Sequence, residues 1–311
     1  IKNIDLDTPL NIMDGMLGIA GVMEDRTSRT GLPSIGHYIH KLFVVSDNDA
    51  SNRLYEFLGR DYLNQRLWDL GYTETRIRHR LDISLNESQN RYTSNFRFIN
   101  DGRIIYEQPS QNAKIDLDVN YNDYLIGKAY MKNGKRVEEP LDFSKKNFMS
   151  LIEQHNFLIQ VIFPETAPDY KQLNLAEDDY QFLYRKMSLL PRESKYPLYN
   201  DDHNYDGYCK FFMFGDTRGR IPDHISIYNK VGLAHGFLLD NAYVVDVKNK
   251  VEFFLSAVVY INNNETLNDD TYEYDEISIP FLSELGRVIY EYELSRTRNY
   301  SPDLNRFKLE Y

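Results

Sequence analysis

One cysteine, Cys209, is all that 311 residues contain. No intrachain disulfide can form, and cysteine usage leaves the compartment open. Its neighbours Tyr208 and Lys210-Phe211-Phe212 read as a strand, which predicts a buried structural thiol rather than a nucleophile. A basic excess is missing too. The net charge of −11 excludes a nucleic-acid backbone as partner, because phosphate binding needs a clustered basic surface. It offers no pull toward anionic membranes and reads as a solvated acidic surface. No apolar run approaches the length of a membrane-spanning helix.

Recognisable metal and nucleotide motifs are also lacking. The seven histidines (37, 40, 79, 155, 203, 224 and 235) form no H-E-x-x-H pattern, and His37 and His40 have no carboxylate partner at ligand spacing. The polar run from Asp201 to Asp206 reads as a solvated loop rather than a cation site. Neither G-x-G-x-x-G nor a P-loop occurs. No cofactor and no metal are expected. The first residue is Ile1, so a leader peptide is neither indicated nor excluded.

What is abundant is aromatic: 25 Tyr and 17 Phe. Tyr-rich surfaces bind carbohydrate or peptide, but Tyr also fills the rims of ordinary cores, and the second meaning is favoured. Apolar spacing predicts a helix over about 33–45, opened by Pro33, with Ile35, Ile39, Leu42 and Phe43 on one face. Asp47 or Asn48 can cap the next helix, which ends at Gly59; another spans about 61–70 and closes at Gly71. Residues 84–96 read as a long loop. Asn100-Asp101-Gly102 and Asn133-Gly134 predict two hairpins, Phe96–Tyr106 and Tyr124–Val137. Helices return from Ser144 and over Ala176–Leu189. His224–Lys230, Asn241–Val247 and Val251–Ile261 predict an antiparallel meander, followed by a helix over Ser278–Ser295.

Two short motifs carry chemistry. Ser46-Asp47-Asn48 follows an apolar helix and continues as Asp49-Ala50-Ser51-Asn52. Taken alone, three small polar residues are most often a helix stop. Lys230-Val231-Gly232 ends a predicted strand, again a common local pattern. Together they match S-D-N-x-A-x-N and a K-T-G-like strand, in that order, with helices between and a meander and final helix after. On these residues the chain resembles β-lactamase-like serine hydrolases, the class A β-lactamase branch of the penicillin-recognising enzymes. The resemblance covers about 1–90 and 145–300.

The resemblance implies an α/β fold of the α+β type: an antiparallel β-sheet flanked by helices, β-lactamase/transpeptidase-like, with a hairpin insertion at about 91–140. It implies a single domain over 1–311, with helical parts at about 33–90 and 142–190 and the sheet and terminal helix at about 205–300. It also implies a serine hydrolase that attacks an amide or peptide-like substrate through an acyl-serine, in a periplasmic or secreted setting. Ser46 would relay a proton, and Asn48 would hydrogen-bond the catalytic lysine and the substrate. Lys230 would supply positive charge for a substrate carboxylate. Gly232 would admit substrate backbone, and the Leu233 N–H would form half of an oxyanion hole. His235, in the turn beyond, would contact substrate. The Ser46 turn and the Lys230 strand edge are expected to face one groove.

Three departures stand against this. No Ser is followed by Lys three residues later anywhere in the chain, so the S-x-x-K nucleophile is missing and this chain alone is expected to be inactive. Val231 replaces the hydroxyl residue of K-T-G. The family's E-x-x-L-N loop is replaced by Arg80-Leu81-Asp82 and then Leu85-Asn86-Glu87, in which Glu87 is a candidate one residue out of spacing. The alternative function is a non-catalytic module holding a cell-wall-like peptide or glycan. A third is an interaction protein that uses the 91–140 hairpins.

Overall fold

The computed structural model describes residues 4–15, 19–118, 124–199 and 202–307. The architecture is mixed α and β, as the resemblance implied, with helices against antiparallel sheets. The chain divides into two compact units. The first comprises Ile1–Leu117, Lys146–Met149 and Pro191–Asn200, the second Asp118–Lys145, Ser150–Leu190 and Asp201–Tyr311.

In the first unit, β1 (Leu10–Ile12) precedes α1 (Ile35–Val44), α2 (Asn48–Leu58), α3 (Arg60–Asp69) and the short α4 (Glu87–Asn90). The hairpin β2 (Phe96–Asn100) and β3 (Arg103–Gln108) completes it. Ser34 caps α1 by accepting from the His37 N–H, and Asp47 caps α2 by accepting from the Ala50 N–H. Each satisfies one of the amide donors that a helix start leaves open. The hairpin turns at Asp101-Gly102, both left-handed, as this dipeptide predicts. β2 pairs with β1 on one side and β3 on the other, all antiparallel. Leu10, Ile12, Tyr38, Ala50, Phe96 and Phe98 form the core. The Phe57 ring meets Phe96 and Phe98 edge-on, at 5.6 Å each.

The second unit opens with β4 (Leu125–Ile126), β5 (Ala129–Lys132), β6 (Lys135–Val137) and β7 (Leu141–Asp142). Next come α5 (Leu151–Ile162), α6 (Glu177–Ser188) and a kinked turn α7 (Phe211–Phe214). The meander is β8 (Ile225–Ala234), β9 (Phe237–Asp246) and β10 (Val251–Tyr260), in spatial order β10-β9-β8. β11 (Thr266–Leu267) and α8 (Ile279–Ser295) follow. One face of the meander buries Ile225, Ile227, Val231, Leu238, Ala242 and Val244 with Phe211, Phe212 and Leu282. Alternation sends Tyr228, Lys230 and Tyr243 to the other face.

Several expectations are corrected. The two hairpins grouped as one insertion fall in different units. The first is core to unit one, because Phe96 and Phe98 are buried against β1. The strand expected over Tyr124–Met131 breaks at Gly127, which is left-handed; β4 pairs with β7 instead of continuing into β5. The strand expected around Cys209 is a 3-10 turn and then α7, where Met213 is left-handed. Cys209 itself is buried, as expected. The helix expected from Ser144 starts at Leu151, where Ser150 caps it, and Phe148 pairs with Arg76 instead. Within the run read as a solvated loop, Asp201 lies outside the described residues.

Candidate functional site

Within the first unit the S-D-N motif sits at the α1–α2 junction. Ser46 is left-handed, with φ +56°, which turns the chain sharply between the two helices. Asp47 is occupied as the cap and by Lys41, 3.2 Å away. Asn48 is the first residue of α2 and is exposed. Four residues on, and so on the same face of α2, is Asn52, the last residue of S-D-N-x-A-x-N. Its Oδ1 accepts from the Leu81 N–H at 2.7 Å and its Nδ2 donates to the Leu81 carbonyl at 2.9 Å. This two-point clamp fixes the backbone immediately before Asp82.

The same helix holds the rest of that loop. The Tyr55 hydroxyl donates to the Arg78 carbonyl at 3.1 Å. Arg80 donates through Nε to Glu56 Oε1 at 3.0 Å, with both side chains essentially sealed from solvent. Asp82 then emerges exposed, in a left-handed conformation with φ +54°. Asp82-Ile83-Ser84-Leu85-Asn86 has the spacing of E-x-x-L-N with aspartate for glutamate. Sequence reading passed over Asp82 by fixing on glutamate; counting back from Leu85-Asn86 would have found it.

Glu87 has a different setting. It accepts from Arg60 at 2.7 Å and pairs with Arg91 at 3.2 Å. Partial burial pushes its pKa up. The Arg60 hydrogen bond and the charges of Arg60, Arg91 and Arg78 outweigh that and hold it below the ordinary carboxylate value. A carboxylate so clamped serves the loop as an ion-pair partner and is a poor proton acceptor.

In the second unit, Lys230, Val231 and Gly232 lie inside β8, not at its end as expected; the strand runs on to Ala234 and turns at His235-Gly236. β8 is an outer strand of the meander. Lys230 Nζ donates to the Val231 carbonyl at 2.7 Å. Burial pushes its pKa down, against the upward pull of Cys209 and Asp240. Val231 belongs to the apolar core. A Cβ added at Gly232 would make only ordinary contact, 3.5 Å from Leu239, so packing does not require glycine there. Leu233 is exposed. His235 is left-handed, with its ring edge-on to Phe143 at 5.4 Å. Among the described residues, no group of three or more His, Cys, Asp or Glu is placed to hold a metal. No described helix is long and apolar enough to cross a membrane.

Two expected results follow from unit one. Asn52→Ala removes both hydrogen bonds to Leu81 and should cost about 1–3 kcal/mol, with faster proteolysis confined to 81–86. Equal cleavage of wild type and N52A would show that the clamp is not what holds the loop. The second concerns acid. Burial lowers the pKa of His37 and His79 from 6.5, and Glu87 lies below 4.5. Groups with depressed folded pKa values contribute stability above the unfolded pKa and lose it as pH falls. Urea midpoints should therefore drop below about pH 6.5 as the histidines charge, and again below about pH 4.5 as Glu87 protonates. A midpoint flat from pH 7 to 5 would count against the histidine part.

Residues 2–112 match the sequence model of a family described as the beta-lactamase enzyme family. The match takes in Ser46, Asn48, Asn52, Asp82, Glu87 and the first hairpin, and so extends past the point where an insertion was expected to begin. No curated protein matches the chain.

Proposed function

We propose, from the β-lactamase-like character of residues 2–112, that this chain belongs to a serine hydrolase of the β-lactamase/penicillin-binding type. It would act on an amide or peptide-like substrate through an acyl-serine. The observation that carries the reading is the Asn52 clamp on Leu81. It ties the S-D-N helix to the one loop that offers an acid at family spacing. The nucleophile would come from an S-x-x-K segment N-terminal to Ile1, where the family order puts it.

In this reading Ser46 carries the proton between that lysine and the leaving group. Asn48, exposed at the start of α2, hydrogen-bonds the lysine and the substrate amide. Lys230 gives the positive charge that a substrate carboxylate meets. Gly232 keeps the strand edge bare for substrate backbone, which agrees with the absence of any packing demand for glycine. The Leu233 N–H is half of the oxyanion hole, and His235 borders the substrate.

Asp82, rather than Glu87, activates the deacylating water. Aspartate is one methylene shorter than glutamate, so a water placed for glutamate stands farther from its carboxylate. Deacylation would then be slow, which suits a peptidase or esterase better than rapid β-lactam turnover. The reading also places the protein outside the cytoplasm. A second reading, a binding module that recognises a cell-wall-like peptide or glycan, is favoured by Val231. Its side chain has no hydroxyl and packs into the core.

The test has two steps. The reading frame upstream of Ile1 is sequenced, and the full-length protein is treated with fluorescent penicillin and with a fluorophosphonate. A covalent adduct on the serine of an S-x-x-K motif is expected. Absence of both motif and adduct, with retained binding of a wall-derived peptide, would leave the second reading standing.

A further inference from the structure

The chain leading to Asp82 is irregular, yet each backbone amide and carbonyl from Arg76 to Leu81 has a partner. Arg76 exchanges backbone bonds with Phe148, at 2.8 and 2.9 Å. Beyond it, side chains replace the missing helix or sheet ladder. Asn64 takes the Ile77 N–H and gives to the Ile77 carbonyl, at 2.8 Å each. Asn147 takes the N–H groups of Arg78 (2.7 Å) and His79 (3.0 Å) and gives to the His79 carbonyl (3.0 Å). Tyr55 gives to the Arg78 carbonyl. His79 Nδ1 gives to the Arg80 carbonyl at 2.7 Å, and a carbonyl only accepts, so Nδ1 carries the proton. Asn52 holds both groups of Leu81.

Asn90, the last residue of α4, takes the Arg80 N–H, and it does something the other asparagines do not. Its Oδ1 accepts that N–H at 3.1 Å, while its Nδ2 donates to the carbonyls of Leu85 and Asn86, at 3.1 Å each. Donors face one end of the amide and acceptors the other, so the bonds fix which end is which. Asn90 is buried. One side chain thus ties the residue before Leu81 to Leu85, and the five residues Leu81–Leu85 become a loop closed across its base.

Asp82 is the second residue of that loop, exposed and left-handed. Within the loop the Leu85 N–H donates to the Ile83 carbonyl at 2.9 Å. A catalytic carboxylate on an open loop would have to be ordered in each turnover; closing the base removes that freedom beforehand.

We propose that Asn90 is a positioning residue: it closes the acid loop across its base and so sets where the Asp82 carboxylate stands. The proposal rests on Asp82 being the deacylating base of the proposed function.

The experiment treats the full-length protein with fluorescent penicillin and times the formation and the loss of the adduct separately. Asn90→Ala should form the adduct at close to the wild-type rate and lose it about tenfold more slowly, or slower still. Asn64→Ala is the control. It removes three bonds of the same kind, two to Ile77 and one to the Arg60 carbonyl, but leaves the loop base intact. It should lower stability comparably and leave the adduct lifetime unchanged. A wild-type lifetime in N90A, or equal slowing in both variants, would overturn the proposal, since a merely structural role predicts no difference between them. If the wild type forms no adduct, the acyl-serine reading has failed by itself and amide hydrogen exchange decides this one. Exchange at residues 82–86 should be about tenfold faster in N90A and unchanged in N64A; equal exchange in the two overturns the proposal. Should N90A not fold, the wild type decides: the Asn90 side-chain NH2 protons should be protected from solvent exchange, and exchange at the rate of an exposed amide overturns the proposal.

Discussion

Glu56→Ala should destabilise the first unit by about 3–5 kcal/mol, the cost of stripping one partner from a buried ion pair. Both Glu56 oxygens are in use: Oε1 accepts from Arg80 Nε at 3.0 Å and Oε2 from the Ser94 N–H at 2.9 Å. Alanine leaves the Arg80 guanidinium buried with only its bonds to the Tyr92 carbonyl and Asn90 and its contact with the Tyr55 ring. It also strands a backbone donor. Glu56→Gln retains acceptor capacity and should lose less, because only the charge is gone. Urea unfolding followed by far-UV circular dichroism measures both. The effect has a functional side as well: Arg80 lies one residue from the Asn52 clamp, so E56A should loosen the Asp82 loop before it unfolds the unit. A loss below 1 kcal/mol for E56A would mean that the charge, once desolvated, contributes little.

Phe307→Ala should cost a similar about 3–5 kcal/mol in the second unit, the usual range for emptying a buried aromatic site. Phe307 is buried beyond the end of α8, with ring centroids 5.1 Å from Tyr243, 5.2 Å from Tyr228, 5.8 Å from Tyr184 and 6.1 Å from Phe163. Arg306 anchors the same segment on Glu165, at 2.7 and 3.2 Å. Edge-on and tilted aromatic contacts add to area burial, so Phe307→Leu should recover only part of the loss. Near-UV circular dichroism should fall with the thermal transition, because four of the rings lose their fixed surroundings together. An F307A protein as stable as wild type would show that the cage closes without its plug.

Most of what was legible in the sequence was local. Asp101-Gly102 and Asn133-Gly134 turn where predicted, because a left-handed pair leaves little choice of hairpin. Asp47 caps α2, and α8 forms where the spacing of Leu282, Leu285, Val288 and Ile289 predicts it, though Val288 is exposed rather than on the buried face. The errors arose where a neighbour far along the chain decided. Tyr208-Cys209-Lys210-Phe211-Phe212 has strand composition, yet Asp240 captures two of its N–H groups and bends it. Phe96 and Phe98 looked like an inserted hairpin until β1, more than eighty residues earlier, paired with them.

The candidate site divides the same way. That Asp47-Asn48 opens a helix and that Lys230 lies on a strand was legible from residue type and spacing, since a helix start and a strand are short-range objects. That Asn52 grips Leu81 and that arginines immobilise Glu87 could come only from the folded molecule. Turn and cap preferences act over a few residues and are written in consecutive letters. Burial, desolvation and the pairing of buried charges depend on which distant groups the fold brings within hydrogen-bonding reach, and no local pattern encodes that.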